Sequence, residues 1–329
     1  MLHSRAALPL DRAQILKGSN EPAIWKLVGN TPLLPLEDGR GVRTWGAEIW
    51  LKAEWCNPGG SVKDRPALAI LKAGIAAGEL PGKRLLDASS GNTAIAYAML
   101  ARSAGVGITI CLPANASEER RALLQIYGAE VIETDPLEGS DGAIRRAREL
   151  ASSQSRRYWY ADQYSNPANP EAHYRSTGPE LWRQTRGRIT HLVAGVGTGG
   201  TIMGAGRFLK ERRPEICLIG VQPDSGFHGL EGLKHMATAM VPAIYDASRL
   251  DQTVYVSTEE AERKVRELAL GCGLLVGWSA GAALVAAEMI ARQEWEGGRK
   301  APPVIVVIAP DSGTRYLSER ERFGIEAGR

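Results

Sequence analysis

Hydrophobic residues recur along most of the chain in two alternating patterns. Short runs rich in β-branched residues predict strands at 48–52, 84–87, 107–112, 130–133, 189–194, 216–221 and 304–309. Longer stretches rich in Ala and Leu predict helices between them at 66–78, 93–104, 118–127, 142–152 and 204–213. Strands that are apolar along nearly their whole length and alternate with helices are typical of parallel sheets covered on both faces. The pattern therefore predicts an α/β fold of the doubly wound type.

A change in this pattern near the middle of the chain predicts a domain boundary. The polar stretch 152–155 separates the last helix of the first half from an aromatic run at 158–160. A chain of 329 residues suits two domains of about 100–200 residues each. Two loops rich in small residues, near Gly91 and Gly197, then fall in different halves. A ligand that contacts both loops would lie in the cleft between the domains.

Composition narrows the classes of function. The 40 basic and 37 acidic side chains leave a formal net charge of +3, which carries no electrostatic signature of nucleic-acid binding. No apolar run approaches the roughly 20 residues that a membrane-spanning helix needs. The four cysteines are not spaced as a zinc site or a redox pair, and such sparse cysteines suit a reducing cytosol. We therefore expect a cytoplasmic protein that binds neither nucleic acid nor membranes and has no metal site.

The first segment that suggests chemistry is 57–65. Its Asn-Pro-Gly-Gly start is typical of a turn. Ser61 followed by Asp64 resembles a capping box, which would place Lys63 in the first turn of a helix. The positive end of a helix disfavours an ammonium group, so a lysine there is suited to act as a neutral nucleophile or to form an imine. The alternative is a surface lysine after a loop.

The second segment, 87–94, joins a predicted strand to a predicted helix. It offers the hydroxyls of Ser89, Ser90 and Thr93, the amide of Asn92, and backbone N–H groups at a helix N-terminus. Such donors suit an anion, for example the carboxylate of a substrate. The alternative is an ordinary loop that caps the helix.

The third segment is a glycine-rich loop at 195–201, between a predicted strand and a helix. Glycine lets the backbone approach an anion closely and the helix end supplies N–H donors, so the loop predicts a phosphate site. A tight turn without a ligand is the alternative. The loop also matches the dinucleotide pattern G-x-G-x-x-G, but that pattern requires Asp or Glu at the end of the next strand, where this chain has Gln222. Its two hydroxyls fit a phosphate monoester better than a pyrophosphate.

The fourth segment, 277–283, precedes an alanine-rich helix. It matches the G-x-S-x-G pattern of a nucleophile elbow around Ser279, but a hydrolase of that type needs a histidine further along the chain. His235 is the last histidine in the sequence. A serine hydrolase is therefore not predicted, and by itself the segment is interpreted as a serine that caps a helix.

Together, the four segments resemble the cysteine synthase (O-acetylserine sulfhydrylase) family of pyridoxal-5′-phosphate (PLP) enzymes of fold type II. The resemblance extends from the segment 28–33 to the segment 311–317, nearly the whole chain. Further matches follow one another in order along the chain, at 117–121, 127–130 and 166–180. Within the family the chain is most similar to the B-type isozyme, on the segments 187–191, 229–235 and 241–246.

The resemblance implies roles for the residues at matching positions. Lys63 would carry PLP as a Schiff base and would remove and return the Cα proton of the substrate. Asn92 would hydrogen-bond the 3′-oxygen of the cofactor, and Ser279 its pyridine nitrogen. The phosphate would be bound by Gly197, Thr198, Gly199, Gly200 and Thr201. The substrate carboxylate would be held by Ser89, Ser90, Asn92, Thr93 and Gln163.

The resemblance also implies a fold and an activity. Two doubly wound domains would hold PLP in the cleft between them: a smaller, mobile domain over 47–155, and a larger phosphate-binding domain over 1–46 and 156–329. The activity would be β-replacement on O-acetyl-L-serine, or O-phospho-L-serine, through an α-aminoacrylate. Sulfide or thiosulfate would then give L-cysteine or S-sulfocysteine. Closure of the smaller domain would exclude water, and the protein would be a homodimer.

Three positions depart from the family pattern. Ser89 keeps a hydroxyl where threonine is typical. Ala94 adds a methyl group where glycine is typical. Lys234 lies where B-type relatives often have arginines and A-type relatives have small residues. As a hypothesis, Lys234 meets an anionic group such as thiosulfate or the phosphate of O-phosphoserine. The alternative is a solvated lysine on a loop.

Other functions remain as alternatives. Cystathionine β-synthase and the serine/threonine dehydratases share the fold, but many carry an additional regulatory domain, and the substrate loop here is of the synthase kind. An NAD-dependent oxidoreductase built on the glycine-rich loop would leave Lys63 unexplained. A catalytically idle protein of this fold is disfavoured by the intact set of Lys63, Asn92 and Ser279.

Overall fold

The computed structural model describes residues 21–89 and 91–325. Ser90, one of the residues predicted to hold a carboxylate, lies outside these ranges, as do the first twenty residues. Within them the strands form two separate sheets.

The larger sheet has six strands: β1 (Leu33–Leu36), β2 (Glu48–Ala53), β7 (His191–Gly195), β8 (Cys217–Pro223), β9 (Gln252–Val256) and β10 (Val304–Ala309). Their order across the sheet is β1-β2-β10-β7-β8-β9. β1 pairs with β2 in an antiparallel register, and all other neighbours are parallel.

The smaller sheet has four parallel strands: β3 (Arg84–Ala88), β4 (Ile108–Pro113), β5 (Glu130–Thr134) and β6 (Tyr158–Tyr160). Their order is β5-β4-β3-β6. The non-sequential order in both sheets means that crossover connections join the parallel strands.

Helices cover both faces of both sheets, as parallel sheets require. They are α1 (Asp64–Ala76), α2 (Asn92–Ser103), α3 (Glu118–Ile126), α4 (Gly139–Ser153), α5 (Ala168–Arg175), α6 (Thr177–Gln184), α7 (Gly200–Arg212), α8 (Thr258–Cys272) and α9 (Trp278–Glu296). On the larger sheet, α8 and α9 pack on one face and α6 and α7 on the other. On the smaller sheet, α4 packs on one face and α1 and α2 on the other. The predicted α/β fold with parallel sheets is confirmed. No helix in the described part of the chain is long and apolar enough to cross a membrane.

The sheets do not divide the chain at the positions expected for the two domains. β2 lies inside 47–155, but it pairs with β1 and β10 in the larger sheet. β6 lies beyond residue 155, but it pairs with β3 in the smaller sheet. The chain therefore crosses between the two sheets after β2 and again after β6. The assignment of a smaller, mobile domain stays a prediction.

Candidate active site

All four chemically suggestive segments line one cavity. Its more open part is lined by predicted residues from both halves of the chain: Lys63, Ser89, Asn92, Thr93, Gln163, Gly197, Thr198 and Lys234. Its more enclosed part is lined by Lys63, Asn92, Gly197, Thr198, Gly199, Thr201 and Ser279. Gly200 is the first residue of α7 next to this part. The structure thus brings together every predicted site residue within the described ranges, and Lys63, Asn92, Gly197 and Thr198 line both parts.

Lys63 immediately precedes α1, which begins at Asp64. The predicted capping box is wrong. The carboxylate of Asp64 accepts a hydrogen bond from the N–H of Gly59, because the preceding turn folds back over the start of the helix. The oxygen of Ser61 accepts from the N–H of Lys63 at 3.3 Å. The turn and the helix start together fix the backbone on both sides of Lys63.

The side chain of Lys63, which is half-buried, differs from those of the buried lysines Lys52 and Lys234. Lys52 Nζ lies 2.7 Å from Glu180, and Lys234 Nζ lies 2.8 Å from Asp141. Lys63 Nζ has no comparable carboxylate or hydrogen-bond partner among the residues that the structure describes. Burial lowers the pKa of Lys63, while the charges of Asp311 and Glu54 act in the opposite direction. A lowered pKa makes the neutral form of this amine easier to reach, and the neutral form is the one suited to nucleophilic and base chemistry.

The glycine-rich loop leaves β7 and enters α7 through Gly199, whose φ is +84°. Side chains are excluded here by close approach. A Cβ at Gly197 would lie 2.1 Å from the carbonyl oxygen of Gly232, and one at Gly200 would lie 1.9 Å from Asn169 Oδ1. Glycine therefore lets the start of α7 present backbone N–H groups to the cavity.

The hydroxyls of the glycine-rich loop are oriented by contacts with Asn169, Gly200 and His173. Thr198 Oγ1 accepts from Asn169 Nδ2 at 3.2 Å and from the N–H of Gly200 at 3.3 Å, so its own proton is available to donate to an anion. Thr201 Oγ1 lies 3.3 Å from His173 Nε2. Burial, with the charge of Arg65, lowers the pKa of His173 to about 3. The ring is therefore neutral at physiological pH.

The loop after β3 forms the opposite wall of the cavity. Ser89 Oγ accepts from the N–H groups of Gly91 and Ala94, both at 3.2 Å, which leaves its proton free to donate. Gln163 comes from the turn after β6. Its Oε1 accepts from Thr93 Oγ1 at 2.8 Å, and its Nε2 donates to the carbonyl of Ala88 at 2.7 Å. The Ser89 hydroxyl and the second N–H proton of Gln163 Nε2 are therefore available for a carboxylate, and the assignment of the carboxylate site stays a prediction.

Lys234 lies at the mouth of this cavity and is 6% exposed, so its interpretation as a solvated lysine is wrong. Its Nζ bonds to Asp141 on α4, across the cleft. Arg120 on α3 makes a second ion pair, with Glu231 on the opposite side. The two pairs link helices of the smaller sheet to the segment after β8.

The sequence assigned no role to two residues beside the cavity. Asp311 follows β10, and its Oδ2 accepts hydrogen bonds from Asn92 Nδ2 and from the hydroxyl of Tyr316, both at 2.6 Å. Tyr316 also lines the open part of the cavity. The available signal was the position of Asp311, an acidic residue two positions after the predicted strand 304–309.

A buried ion network lies behind Lys63 and was also missed. Arg65 bonds to Glu54 at 2.7 Å and to Glu180 at 2.7 Å, and Glu180 also accepts from Lys52. The hydroxyl of Thr31 donates to Glu54 at 2.7 Å. The network joins β2, α1 and α6, and so it fixes the start of α1 where Lys63 is attached.

Comparison with known proteins identifies the family. Residues 24–311 match the family model described as pyridoxal-phosphate dependent enzyme. The chain belongs to this family. It is 51% identical to a cysteine synthase of Aquifex aeolicus (strain VF5), with 90% of each chain covered. It is 41% identical to cysteine synthase B of Escherichia coli (strain K12), over 92% of this chain and 97% of that one.

A solved structure supports the same assignment. The crystal structure of cysteine synthase (OASS) from Entamoeba histolytica matches with a TM-score of 0.85 and 31% identity, covering 95% of this chain and 94% of that one. The predicted resemblance and the PLP cofactor are confirmed. The NAD-dependent alternative is wrong. Consistently, β8 ends in Gln222 and Pro223, and the Gln222 amide oxygen accepts from the N–H of Met236.

The residues of this PLP-dependent enzyme fit its cofactor. The glycine-rich loop and the start of α7 suit the phosphate, because a side chain at Gly197 or Gly200 would meet its neighbours too closely. Lys63 supplies an amine in the same enclosed space, and Ser279 supplies a hydroxyl that can meet the pyridine nitrogen. Asn92, anchored by Asp311, is available for the 3′-oxygen.

Replacing Gly197 with alanine should weaken PLP binding. The added Cβ must displace either the loop or the backbone at Gly232, so the phosphate donors lose their alignment. We expect the PLP dissociation constant, measured by reconstitution of the apoprotein, to rise about ten-fold or more, the value of one charge-assisted hydrogen bond. Gly297→Ala, on the surface after α9, is the control and should bind PLP normally. Normal PLP affinity of Gly197→Ala would exclude the loop as the phosphate site.

Proposed function

We propose that this PLP-dependent enzyme is a cysteine synthase that catalyses β-replacement on O-acetyl-L-serine with sulfide. The observation that carries the proposal is the position of Lys63. Its amine lies in one cavity with the glycine-rich loop on one side and, on the other, the wall formed by Ser89 and Gln163. An amino acid whose carboxylate is held by that wall would have its Cα close to both the cofactor and the lysine.

The chain's own residues would divide the binding of the cofactor among them. When bound, PLP supplies an electron sink that stabilises negative charge at the substrate Cα. The N–H groups and hydroxyls of the loop from Gly197 to Thr201 would hold the phosphate. The Ser279 hydroxyl would bond the pyridine nitrogen without adding a negative charge there. That nitrogen is then not held protonated, as it would be by a carboxylate, which moderates the electron sink and favours β-elimination.

Binding of the substrate would orient its Cα–H bond. The hydroxyl of Ser89 and the amides of Asn92 and Gln163 would hold the carboxylate on one wall. Thr93, whose hydroxyl proton goes to Gln163, would contribute its backbone N–H at the start of α2. Lys63 lies across from this wall, and its lowered pKa favours the neutral amine that can remove the Cα proton and later return it. Ser90 would belong to the same group of residues.

Water would be excluded by closure of the smaller domain. The ion pairs Arg120–Glu231 and Lys234–Asp141 cross the cleft at the mouth of the cavity and support this part of the proposal. A closed cavity protects a reactive intermediate from hydrolysis and strengthens the electrostatic interactions inside it.

The activity assay should separate the cysteine synthase from its relatives on the same fold. With O-acetylserine and sulfide, the purified holoenzyme is expected to form cysteine and acetate. Formation of cystathionine from serine and homocysteine, or a 2-oxo acid from serine or threonine, at a higher rate than cysteine would contradict the proposal. Thiosulfate in place of sulfide tests whether S-sulfocysteine is a product.

Lys234 is proposed to recognise an anionic leaving group or sulfur donor. In Lys234→Ala, kcat/KM for O-phosphoserine should fall about ten-fold or more relative to O-acetylserine, because one charge-assisted contact is lost. Lys210→Ala, which removes a partly exposed lysine paired with Asp251, serves as the control. An unchanged ratio of the two kcat/KM values in Lys234→Ala would refute anion recognition by this residue.

We also propose that the enzyme is a cytoplasmic homodimer. The family resemblance supports the dimer, and the sparse, unpaired cysteines support the reducing compartment. Sedimentation of the holoenzyme at micromolar concentration measures whether it is a dimer.

A further inference from the structure

Asp311 occupies an unusual position for a buried carboxylate. It is 1% exposed. One oxygen, Oδ2, accepts from both Asn92 and Tyr316. The other, Oδ1, is buried and has no hydrogen-bond partner among the described residues. Because an unsatisfied buried oxygen is costly, its position beside the cavity points to a role in the site.

The backbone holds Asp311 between the segments that carry Lys63 and Ser279. It forms an isolated antiparallel bridge with Ser61, two residues before Lys63. Its carbonyl accepts from the N–H of Gly277 at 3.0 Å, just before α9. A Cβ at Gly277 would lie 2.0 Å from Asp311 Oδ1. The absence of a side chain at Gly277 therefore leaves room for the Asp311 carboxylate.

Two consequences follow for the cofactor site. A carboxylate only accepts hydrogen bonds, so it fixes the amide of Asn92 with Nδ2 toward Asp311 and leaves the amide oxygen and the second N–H proton for other contacts. The carboxylate also places a negative charge near Lys63. It is the largest of the charges that favour the protonated form of this lysine, against its burial.

We propose that Asp311 is a positioning residue of the cofactor site, which holds the Asn92 amide in place and sets the charge balance around Lys63. The inference rests on the proposed binding of PLP at Lys63 and Asn92, and it is independent of which substrate the enzyme uses. Tyr316 is the second donor to the same oxygen and limits the movement of the carboxylate.

The test compares Asp311→Asn, which keeps the size but removes the charge, with Asp311→Glu, which keeps the charge but is larger. The visible absorption of each PLP-loaded protein is recorded as a function of pH, together with the PLP dissociation constant and the melting temperature. In Asp311→Asn, the visible band should change at a pH lower by about one unit or more, the shift expected from loss of a neighbouring opposite charge. Its PLP dissociation constant should rise about ten-fold. Tyr316→Phe keeps the charge and should retain the wild-type pH dependence.

A purely structural role predicts a different order. The larger Glu would then be the more damaging replacement, because of the close contact at Gly277, and Asp311→Asn would keep the wild-type pH dependence. That result, over the pH range in which both proteins stay folded, would overturn the proposal. The spectra do not depend on product formation. A failure of the proposed cysteine synthase activity with a shifted spectrum in Asp311→Asn would therefore leave this inference standing.

Discussion

The variant Lys63→Ala is expected to lose at least about a thousand-fold in kcat, because it removes both the attachment point of the cofactor and the base that moves the Cα proton. The rest of the cavity keeps its shape, since the Lys63 side chain takes no part in the hydrogen bonds that fix the neighbouring turn. PLP should still bind through its phosphate but more weakly, and the visible absorption of the internal lysine adduct should be absent. Steady-state kinetics with O-acetylserine and sulfide measure the first effect.

Lys72→Ala is the matched control for this experiment. Lys72 lies on the same helix, α1, but is partly exposed and pairs with Glu21. Its loss should leave kcat and the spectrum unchanged within about two-fold, since an exposed pair contributes little. Activity of Lys63→Ala within ten-fold of the wild type would show that another group performs the proton transfer.

The second large effect is expected on stability, from Arg65→Leu. The substitution leaves Glu54 and Glu180 buried without their main partner. Breaking a buried ion pair on one side costs about 3–5 kcal/mol in free energy of unfolding. Urea denaturation of the apoprotein measures the change. Arg175→Leu is the same substitution at the surface, where the Arg175 side chain is 78% exposed and pairs with Glu171. It should cost at most about 1 kcal/mol in free energy of unfolding.

The cost of Arg65→Leu should also depend on pH. Burial alone would raise the pKa of Glu180, but hydrogen bonds and charge from Arg65, with the charge of Lys52, lower it to about 2. A lowered pKa in the folded state stabilises the protein above the unfolded pKa of about 4.3, and this stabilisation is lost as the pH falls toward 2. The difference between wild type and variant should therefore shrink below about pH 4. An equal difference at pH 7 and pH 3 would contradict the assigned role of the network.

The parts of the site that the sequence predicted are local in the chain. The turn at 57–60, the glycine-rich loop and the loop after β3 each place their chemistry within a few consecutive residues, so their residue types alone indicate the chemistry. The strands predicted from apolar runs are present in the structure, because an apolar run is also a local feature of the sequence. β1 was missed because it is four residues long and contains Pro35, which is atypical of a strand interior. β6 was missed because it has three residues, too few to show a period.

The parts that the sequence did not predict depend on contacts between distant residues. Asn92 and Asp311 are 219 positions apart, and Lys52 and Glu180 are 128 apart. No periodicity connects such pairs, and in the sequence Asp311, Lys52 and Glu180 each resemble an ordinary charged side chain. The sequence also did not predict that β2 pairs in the larger sheet and β6 in the smaller one. Strand pairing is decided by packing of the complete chain.

The central claim is that Lys63 carries the cofactor, and peptide mapping tests it most directly. The yellow holoenzyme is reduced with borohydride, digested, and analysed by mass spectrometry. A phosphopyridoxyl group is expected on Lys63, in the peptide that contains Asn57 and Asp64. An unmodified Lys63, with the group on another lysine such as Lys52 or Lys234, would contradict this account of the site.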